Sequence, residues 1–93
     1  MKLAEIAERI HAHLKRFEKD PKINPARASH GNTRAYYCSF ASASGRYVYV
    51  TYITYQGHSA LTKDEATAYL AWLDAGNVGR HYEQQREAKE TGK

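Results

Sequence analysis

Five histidines and one cysteine are the side chains of this 93-residue chain best suited to metal binding or nucleophilic catalysis. His11 and His13 are two residues apart in a stretch with helical periodicity, so they point to opposite sides and cannot chelate one ion. His30, His58 and His81 come from three different segments. The spacing of four residues that is typical of paired zinc-binding histidines does not occur. We expect no metal site and interpret the histidines as surface or rim residues.

Cys38 lies within a run of strand-forming residues, with no helix start after it and no base predicted beside it. A nucleophilic cysteine needs such surroundings to ionise, so a buried strand cysteine is the better interpretation. As the single cysteine, it cannot form an internal disulfide. Asp64 and Glu65 fit a helix start, and no glycine-rich phosphate loop occurs. We therefore expect neither catalysis nor a cofactor.

Tyrosine is concentrated in one part of the chain, because six of the eight tyrosines lie between Thr33 and Gln56. This stretch reads TRAYYCSFASASGRYVYVTYITYQ, in which aromatic and β-branched residues surround a Ser-Gly turn signal. Two extended runs around a short glycine-containing loop predict one antiparallel hairpin over residues 33–56.

The register of this hairpin decides which tyrosines lie together, since side chains alternate between the two faces. A two-residue turn at Ser44-Gly45 pairs Phe40 with Tyr49 and Cys38 with Thr51. One face is then aromatic, and its residues are Tyr36, Cys38, Phe40, Tyr47, Tyr49, Ile53 and Tyr55. The other face is smoother and suits a packed helix, and its residues are Ala35, Tyr37, Ser39, Ala41, Val48, Val50 and Tyr52. A three-residue loop would shift the register by one residue, and the sequence leaves that alternative open.

A helix is predicted before the hairpin. Apolar residues recur at steps of three and four over residues 1–19, as they do in amphipathic helices. The apolar stripe comprises Leu3, Ile6, Ala7, Ile10, Leu14 and Phe17. Asp20-Pro21 ends the helix, because a residue before proline is disfavoured in the α region. We expect the stripe to pack on the hairpin.

A second helix is predicted over residues 62–75. Thr62 and Glu65 have the spacing of a capping box, in which each side chain accepts a hydrogen bond from the other residue's backbone N–H. Gly76 suits the left-handed residue that ends a helix.

A third helix is predicted over residues 77–90, with Asn77 as its cap. Its apolar content is low, and we expect it to contact the rest of the domain through Val78 and Tyr82. Residues 58–61 form either a short third strand or an extended run into the second helix.

Positive charge is concentrated between Lys15 and Arg34, a segment that includes residues 20–32, which we interpret as a basic, adaptable loop beside the sheet. From Lys15 to Arg34, six basic residues outnumber two acidic ones, so this segment carries the whole net charge of +4. Ile23 is expected to hold the loop against the body. Such a local excess favours an anionic partner, either nucleic acid or an acidic protein face.

These patterns predict a single α+β domain over residues 1–93, made of an N-terminal helix, an antiparallel hairpin and two C-terminal helices on one face. No apolar run is long enough to span a membrane, and no signal-peptide core begins the chain. We therefore expect a cytoplasmic protein.

The aromatic face and the basic segment favour non-catalytic binding of a protein or nucleoprotein partner. The expected binding residues are Tyr36, Tyr47, Tyr49, Tyr55, Arg27, Arg34, Arg46 and Lys22. Three alternatives stay open: direct binding of single-stranded or structured nucleic acid, a homodimer that hides the aromatic face, and a small enzyme that uses Cys38 or a histidine.

Two resemblances bear on the partner. The order helix, strands, helix resembles that of double-stranded-RNA-binding domains, but the last helix starts with Thr62-Lys63-Asp64-Glu65, which lacks that family's lysine cluster. No binding residue is therefore carried over. The stretch LTKDEATAYLAWLDAGNVGRHY, over residues 61–82, looks like the helical end of small phage or mobile-element proteins of the anti-CRISPR type. That resemblance implies an inhibitor of a host-defence complex.

Overall fold

The computed structural model describes residues 1–24, 37–52 and 59–91, with side chains described as far as residue 86. These residues form a small α+β fold, as predicted. The elements in chain order are α1 (Leu3–Lys19), β1 (Cys38–Ala41), β2 (Val48–Thr51), β3 (Ser59–Leu61), α2 (Lys63–Asp74) and α3 (His81–Thr91). Among the described residues, no helix is long and apolar enough to cross a membrane.

α1 is the predicted amphipathic helix. Five residues of its apolar stripe are buried, namely Ile6, Ala7, Ile10, Leu14 and Phe17. Leu3, the first residue of the stripe, is partly buried and packs against the core. The helix ends at Asp20, whose backbone is extended with φ −88° and ψ 114°, because Pro21 follows. After this end, Ile23 packs against the core, as expected.

The three strands form an antiparallel sheet in the order β1-β2-β3. Cys38 pairs with Thr51 and Phe40 with Tyr49, which confirms the register that a two-residue turn predicts. β3 confirms the short third strand, and Leu61 pairs with Val48.

The turn between β1 and β2 differs from the prediction, although the register does not. Ser42 accepts the N–H of Gly45 at its carbonyl oxygen, over 3.0 Å, so the turn begins two residues before Ser44. The Ser42 hydroxyl also accepts the N–H groups of Arg46 and Tyr47, over 3.3 and 3.1 Å. Gly45 has a φ of +73°, which favours glycine. The serine side chain thus closes a longer loop over residues 43–46.

The core lies between the helices and the smoother face of the sheet, which is called the inner face below. Tyr37, Val48 and Val50 are buried on this face, and α1 packs against β1 and β2. α2 adds four buried residues to the same core, namely Ala66, Tyr69, Leu70 and Leu73. The expectation that a helix covers the smoother face is confirmed.

α2 begins with the predicted capping box. The N–H of Thr62 donates to the Glu65 carboxylate over 2.9 Å, and the N–H of Glu65 donates to the Thr62 hydroxyl over 3.2 Å. Gly76 follows the helix with a φ of +100°, and its N–H donates to the carbonyl of Leu73 over 3.0 Å. Both predicted ends of α2 are confirmed to within a residue.

α3 begins at His81, so the predicted helix over residues 77–90 starts four residues too early. Asn77 caps the preceding helix instead, because its side-chain amide donates to the carbonyl of Trp72 over 2.8 Å. Val78 and Tyr82 are 45% and 52% exposed, so about half of each side chain stays in contact with solvent and neither is part of the buried core. The first turn of α3 is closed by Glu83, which accepts the N–H of Arg80 over 2.9 Å.

Candidate binding surface

One face of the sheet points away from α1 and is called the outer face below. Its described side chains are Cys38, Phe40, Tyr47, Tyr49, Thr51 and Ala60. The strand register places Phe40, Tyr49 and Ala60 side by side across all three strands. The alternation of side chains along each strand therefore gathers the aromatic residues opposite the helix-covered face.

Phe40 and Tyr47 stay in contact with solvent, with 43% and 39% of their surface exposed. Tyr49 is half-buried, and its ring centroid lies 5.4 Å from that of Phe40 at an interplanar angle of 50°. Tilted rings at this distance attract each other through their quadrupoles. The outer face thus presents an ordered aromatic cluster to solvent, whereas Thr51 on the same face is 2% exposed.

None of the six outer-face side chains is Lys, Arg, Asp or Glu. Arg46 is exposed in the turn, next in sequence to Tyr47, and supplies a positive charge at the rim. Protein interfaces have this distribution: their centres are rich in aromatic residues and poor in charge, and their rims are polar. The outer face therefore combines an uncharged aromatic centre with a positive charge at its rim.

The structure brings together three of the residues predicted to bind a partner. Tyr47, Tyr49 and Arg46 lie at the turn end of the β1–β2 hairpin. Lys22 is exposed, but the turn after α1 positions it, and its N–H donates to the Asp20 carboxylate over 2.9 Å. The remaining predicted residues lie outside the described residues, and they are Tyr36, Tyr55, Arg27 and Arg34.

Phe40 is the aromatic residue of the described outer face that the predicted binding set omits. The sequence placed it on the aromatic face, and its pairing with Tyr49 was predicted. Its exposure follows from its position on β1, which has a strand neighbour on one side only among the described strands. A register prediction combined with strand order would have identified it.

The histidines of α1 make separate contacts on two sides of the helix. His11 accepts the N–H of Ser39 at Nδ1 over 3.1 Å. His13 lies 2.7 Å from the Asp74 carboxylate through Nε2, and its Nδ1 is in contact with the guanidinium of Arg16. Among residues 1–24, 37–52 and 59–86, no group of three His, Cys, Asp or Glu side chains could hold a metal ion.

A groove of about 690 Å³ separates α2 from α3. Its walls include Asp64, Glu65, His81, Tyr82 and Arg86. Glu65 is engaged by the N–H of Thr62, and this hydrogen bond lowers the pKa of its carboxyl group. Burial lowers the pKa of His81, so its imidazole stays neutral near pH 7. Asp64 and Glu65 lie in the first turn of α2, where acidic side chains favour the start of a helix.

The junction between α2 and α3 is held by Tyr69. Its buried hydroxyl donates to the carbonyl of Gly79 over 2.6 Å, and burial raises the pKa of this phenol. The ring of His81 meets that of Tyr69 edge-on, with centroids 5.7 Å apart. These contacts position the start of α3 and leave Tyr82 exposed.

Comparison with known proteins returns no match to this chain among protein-family models, curated sequences or solved structures.

Proposed function

We propose that this chain is a non-catalytic binding protein whose outer face engages a partner protein. The observation that carries the proposal is the Phe40–Tyr49 ring pair, which lies on an uncharged face with Phe40 43% exposed. Burying such rings against a partner removes apolar surface from water, which is favourable at about 25 cal/mol per Å². Tyr47 extends this surface toward the turn.

The partner surface that fits has an apolar centre and an acidic rim. Apolar side chains would pack on Phe40 and Tyr49, while carboxylates would face Arg46. The net charge of +4 adds a long-range attraction to an acidic partner. Charges at the rim of an interface mainly raise the association rate, so Arg46 is expected to affect the rate more than the final affinity.

The biological class we favour is an inhibitor of a host-defence complex. This step rests on the resemblance of residues 61–82 to the helical end of small phage proteins of the anti-CRISPR type, together with the size and the α+β architecture. A nucleoprotein complex offers both a protein surface for the outer face and negative charge for the basic residues.

Direct binding of nucleic acid is the second candidate, and the exposed pair of Tyr47 and Arg46 favours it. Unpaired bases stack on exposed aromatic rings, and a neighbouring arginine can contact phosphate. Such binding weakens steeply as salt rises, because each phosphate contact releases counterions.

The test uses two matched tyrosine variants. Tyr47→Ala removes an outer-face ring, while Tyr82→Ala removes an exposed ring from α3, away from the outer face. Each variant and the wild type are used to capture protein from host lysate, and the captured protein is purified and titrated against all three. We expect Tyr47→Ala to weaken binding about 30-fold, which is the cost of removing a hot-spot side chain from an interface, and Tyr82→Ala to bind like wild type.

Equal binding by both variants would contradict the use of the outer face. Binding of a mixed-sequence single-stranded oligonucleotide by wild type, lost on adding salt and lost in Tyr47→Ala, would instead support the second candidate.

A further inference from the structure

His11 forms a contact that the proposed function does not use. Its Nδ1 accepts the backbone N–H of Ser39, in β1, over 3.1 Å. β1 lies at one edge of the described sheet, and backbone groups at a sheet edge are a template for pairing with another strand. A side chain from α1 therefore occupies a hydrogen-bonding position on the β1 edge.

The direction of the β1 backbone groups follows from the hairpin. The N–H of Ser42 donates to the carbonyl of Tyr47 over 2.8 Å, so these two residues form a hydrogen-bonded pair. Hydrogen-bonded and non-hydrogen-bonded pairs alternate along antiparallel strands. Phe40 and Tyr49 are thus the next hydrogen-bonded pair. The backbone groups of Ser39 and Ala41 consequently point outward, away from β2.

The position of His11 fits this geometry. The outward N–H of Ser39 donates to the imidazole where it would otherwise donate to the carbonyl of an adjacent strand. Burial, reinforced by the charge of Lys15, lowers the pKa of His11 and keeps the ring neutral, so that Nδ1 can accept this hydrogen bond.

We propose that the β1 edge is a pairing surface for a second copy of this chain, and that His11 closes it in the single copy. Displacing the imidazole releases the N–H of Ser39. Two β1 strands then join antiparallel, so that the three described strands of each copy form one continuous sheet.

The spacing of the outward groups favours a second copy, because it is self-complementary about Phe40. Antiparallel pairing centred on Phe40 sets Ser39 opposite Ala41 of the second copy, and Ala41 opposite Ser39 of the second copy. Each of these pairs can exchange two N–H···O hydrogen bonds. The same surface serves both copies, as a two-fold interface requires.

The side chains agree with this pairing. The two Phe40 residues would lie opposite each other in a non-hydrogen-bonded pair, where the side chains of facing residues are closest. Phe40 is already 43% exposed on the outer face. Its ring would extend the Phe40–Tyr49 row into the matching row of the second copy. The dimer would also double the outer face, but the pairing does not depend on the proposed function.

The test compares molar mass by light scattering across a wide range of protein concentrations. His11→Ala removes the group that closes the edge, and His13→Ala is the matched control, since His13 contacts Asp74 on another side of α1. His11→Leu keeps the volume of the side chain without an acceptor and decides the question if His11→Ala fails to fold. Ser39→Pro, added to His11→Ala, removes the N–H that pairing needs.

We expect wild type and His13→Ala to stay at the monomer mass of 10.6 kDa. We expect His11→Ala and His11→Leu to double that mass as concentration rises, and His11→Ala/Ser39→Pro to return to the monomer. Folded His11 variants that remain monomeric at every concentration would overturn the proposal. So would a dimer of His11→Ala that survives Ser39→Pro, a dimer of His13→Ala, or a wild type that is already dimeric.

Discussion

The rings of Phe40 and Tyr49 lie 5.4 Å apart across β1 and β2, on the face of the sheet opposite α1. This pair exists because the hairpin register sets the two residues directly opposite each other. The same register turns the smaller side chains toward the helix. One alternation of side chains therefore produces both the helix-covered inner face and the aromatic outer face.

The hydroxyl of Ser42 organises the turn that follows β1. Ser42→Ala removes the acceptor for two backbone N–H groups, and we expect it to lower the free energy of unfolding by about 1 kcal/mol. Urea unfolding followed by circular dichroism measures the change. Ser44→Ala is the comparison in the same turn. The exposed Ser44 hydroxyl contacts that of Ser42 over 2.9 Å and accepts only the N–H of Arg46, over a longer 3.4 Å, so this variant should change stability by less than half as much. The reverse ranking would contradict the role of Ser42.

The capping box at the start of α2 contributes to stability. Thr62→Ala removes the hydroxyl that accepts the N–H of Glu65, and its expected cost is about 1 kcal/mol. Thr67→Ala provides the comparison and should cost less than Thr62→Ala. The Thr67 hydroxyl donates to a carbonyl inside the helix over 2.7 Å, and alanine is a better helix former than threonine. A loss in Thr67→Ala as large as in Thr62→Ala would rule out a specific contribution of the cap.

The hydrogen bond from Tyr69 to Gly79 fixes α3. Tyr69→Phe leaves a buried carbonyl without this donor, which we expect to cost about 1–3 kcal/mol. The loss should be local, so amide hydrogen exchange should speed up in α3 more than in α1. Tyr82→Phe removes an exposed hydroxyl that accepts a hydrogen bond from the Arg80 guanidinium over 3.0 Å, and this solvent-exposed change should speed exchange in α3 much less than Tyr69→Phe does. Uniformly faster exchange over the whole chain in Tyr69→Phe would contradict this local role.

Stability is expected to fall as the pH drops from 7.5 to 5. Burial lowers the pKa of both His11 and His81 below their ordinary value of 6.5. The unfolded chain therefore binds protons at higher pH than the folded chain does. This contribution to stability is complete above the unfolded pKa and is lost as the pH falls through the folded values.

Urea unfolding at several pH values measures this loss. His81→Gln should flatten the slope between pH 7.5 and 5 relative to wild type. A slope of the opposite sign, with stability rising toward pH 5, would contradict the burial of these histidines.

Alternation and helical periodicity made much of the fold predictable. The apolar stripe of α1 must pack against one face of the sheet. The alternation of side chains along β2 assigns Val48 and Val50 to that face. The capping box of Thr62 and Glu65 located the start of α2, because both partners are close in sequence.

Features that depend on distant or competing contacts were not predictable. Asn77 can cap the start of one helix or the end of another, and its amide bonds to Trp72 only because α2 ends where it does. The Ser42 hydroxyl closes the turn through its own side chain, which a Ser-Gly signal does not reveal. For the candidate surface, the sequence supplied Tyr47, Tyr49 and Arg46, but the exposure of Phe40 required the strand order.

The most direct test of the proposed function is the affinity of the purified partner protein for Tyr47→Ala compared with Tyr82→Ala, measured by calorimetry. Both variants lose one exposed tyrosine ring, and only the first loses it from the outer face. The outer-face proposal predicts a loss of about 2 kcal/mol of binding free energy in Tyr47→Ala and wild-type affinity in Tyr82→Ala. Full affinity in Tyr47→Ala, or an equal loss in both variants, would contradict it.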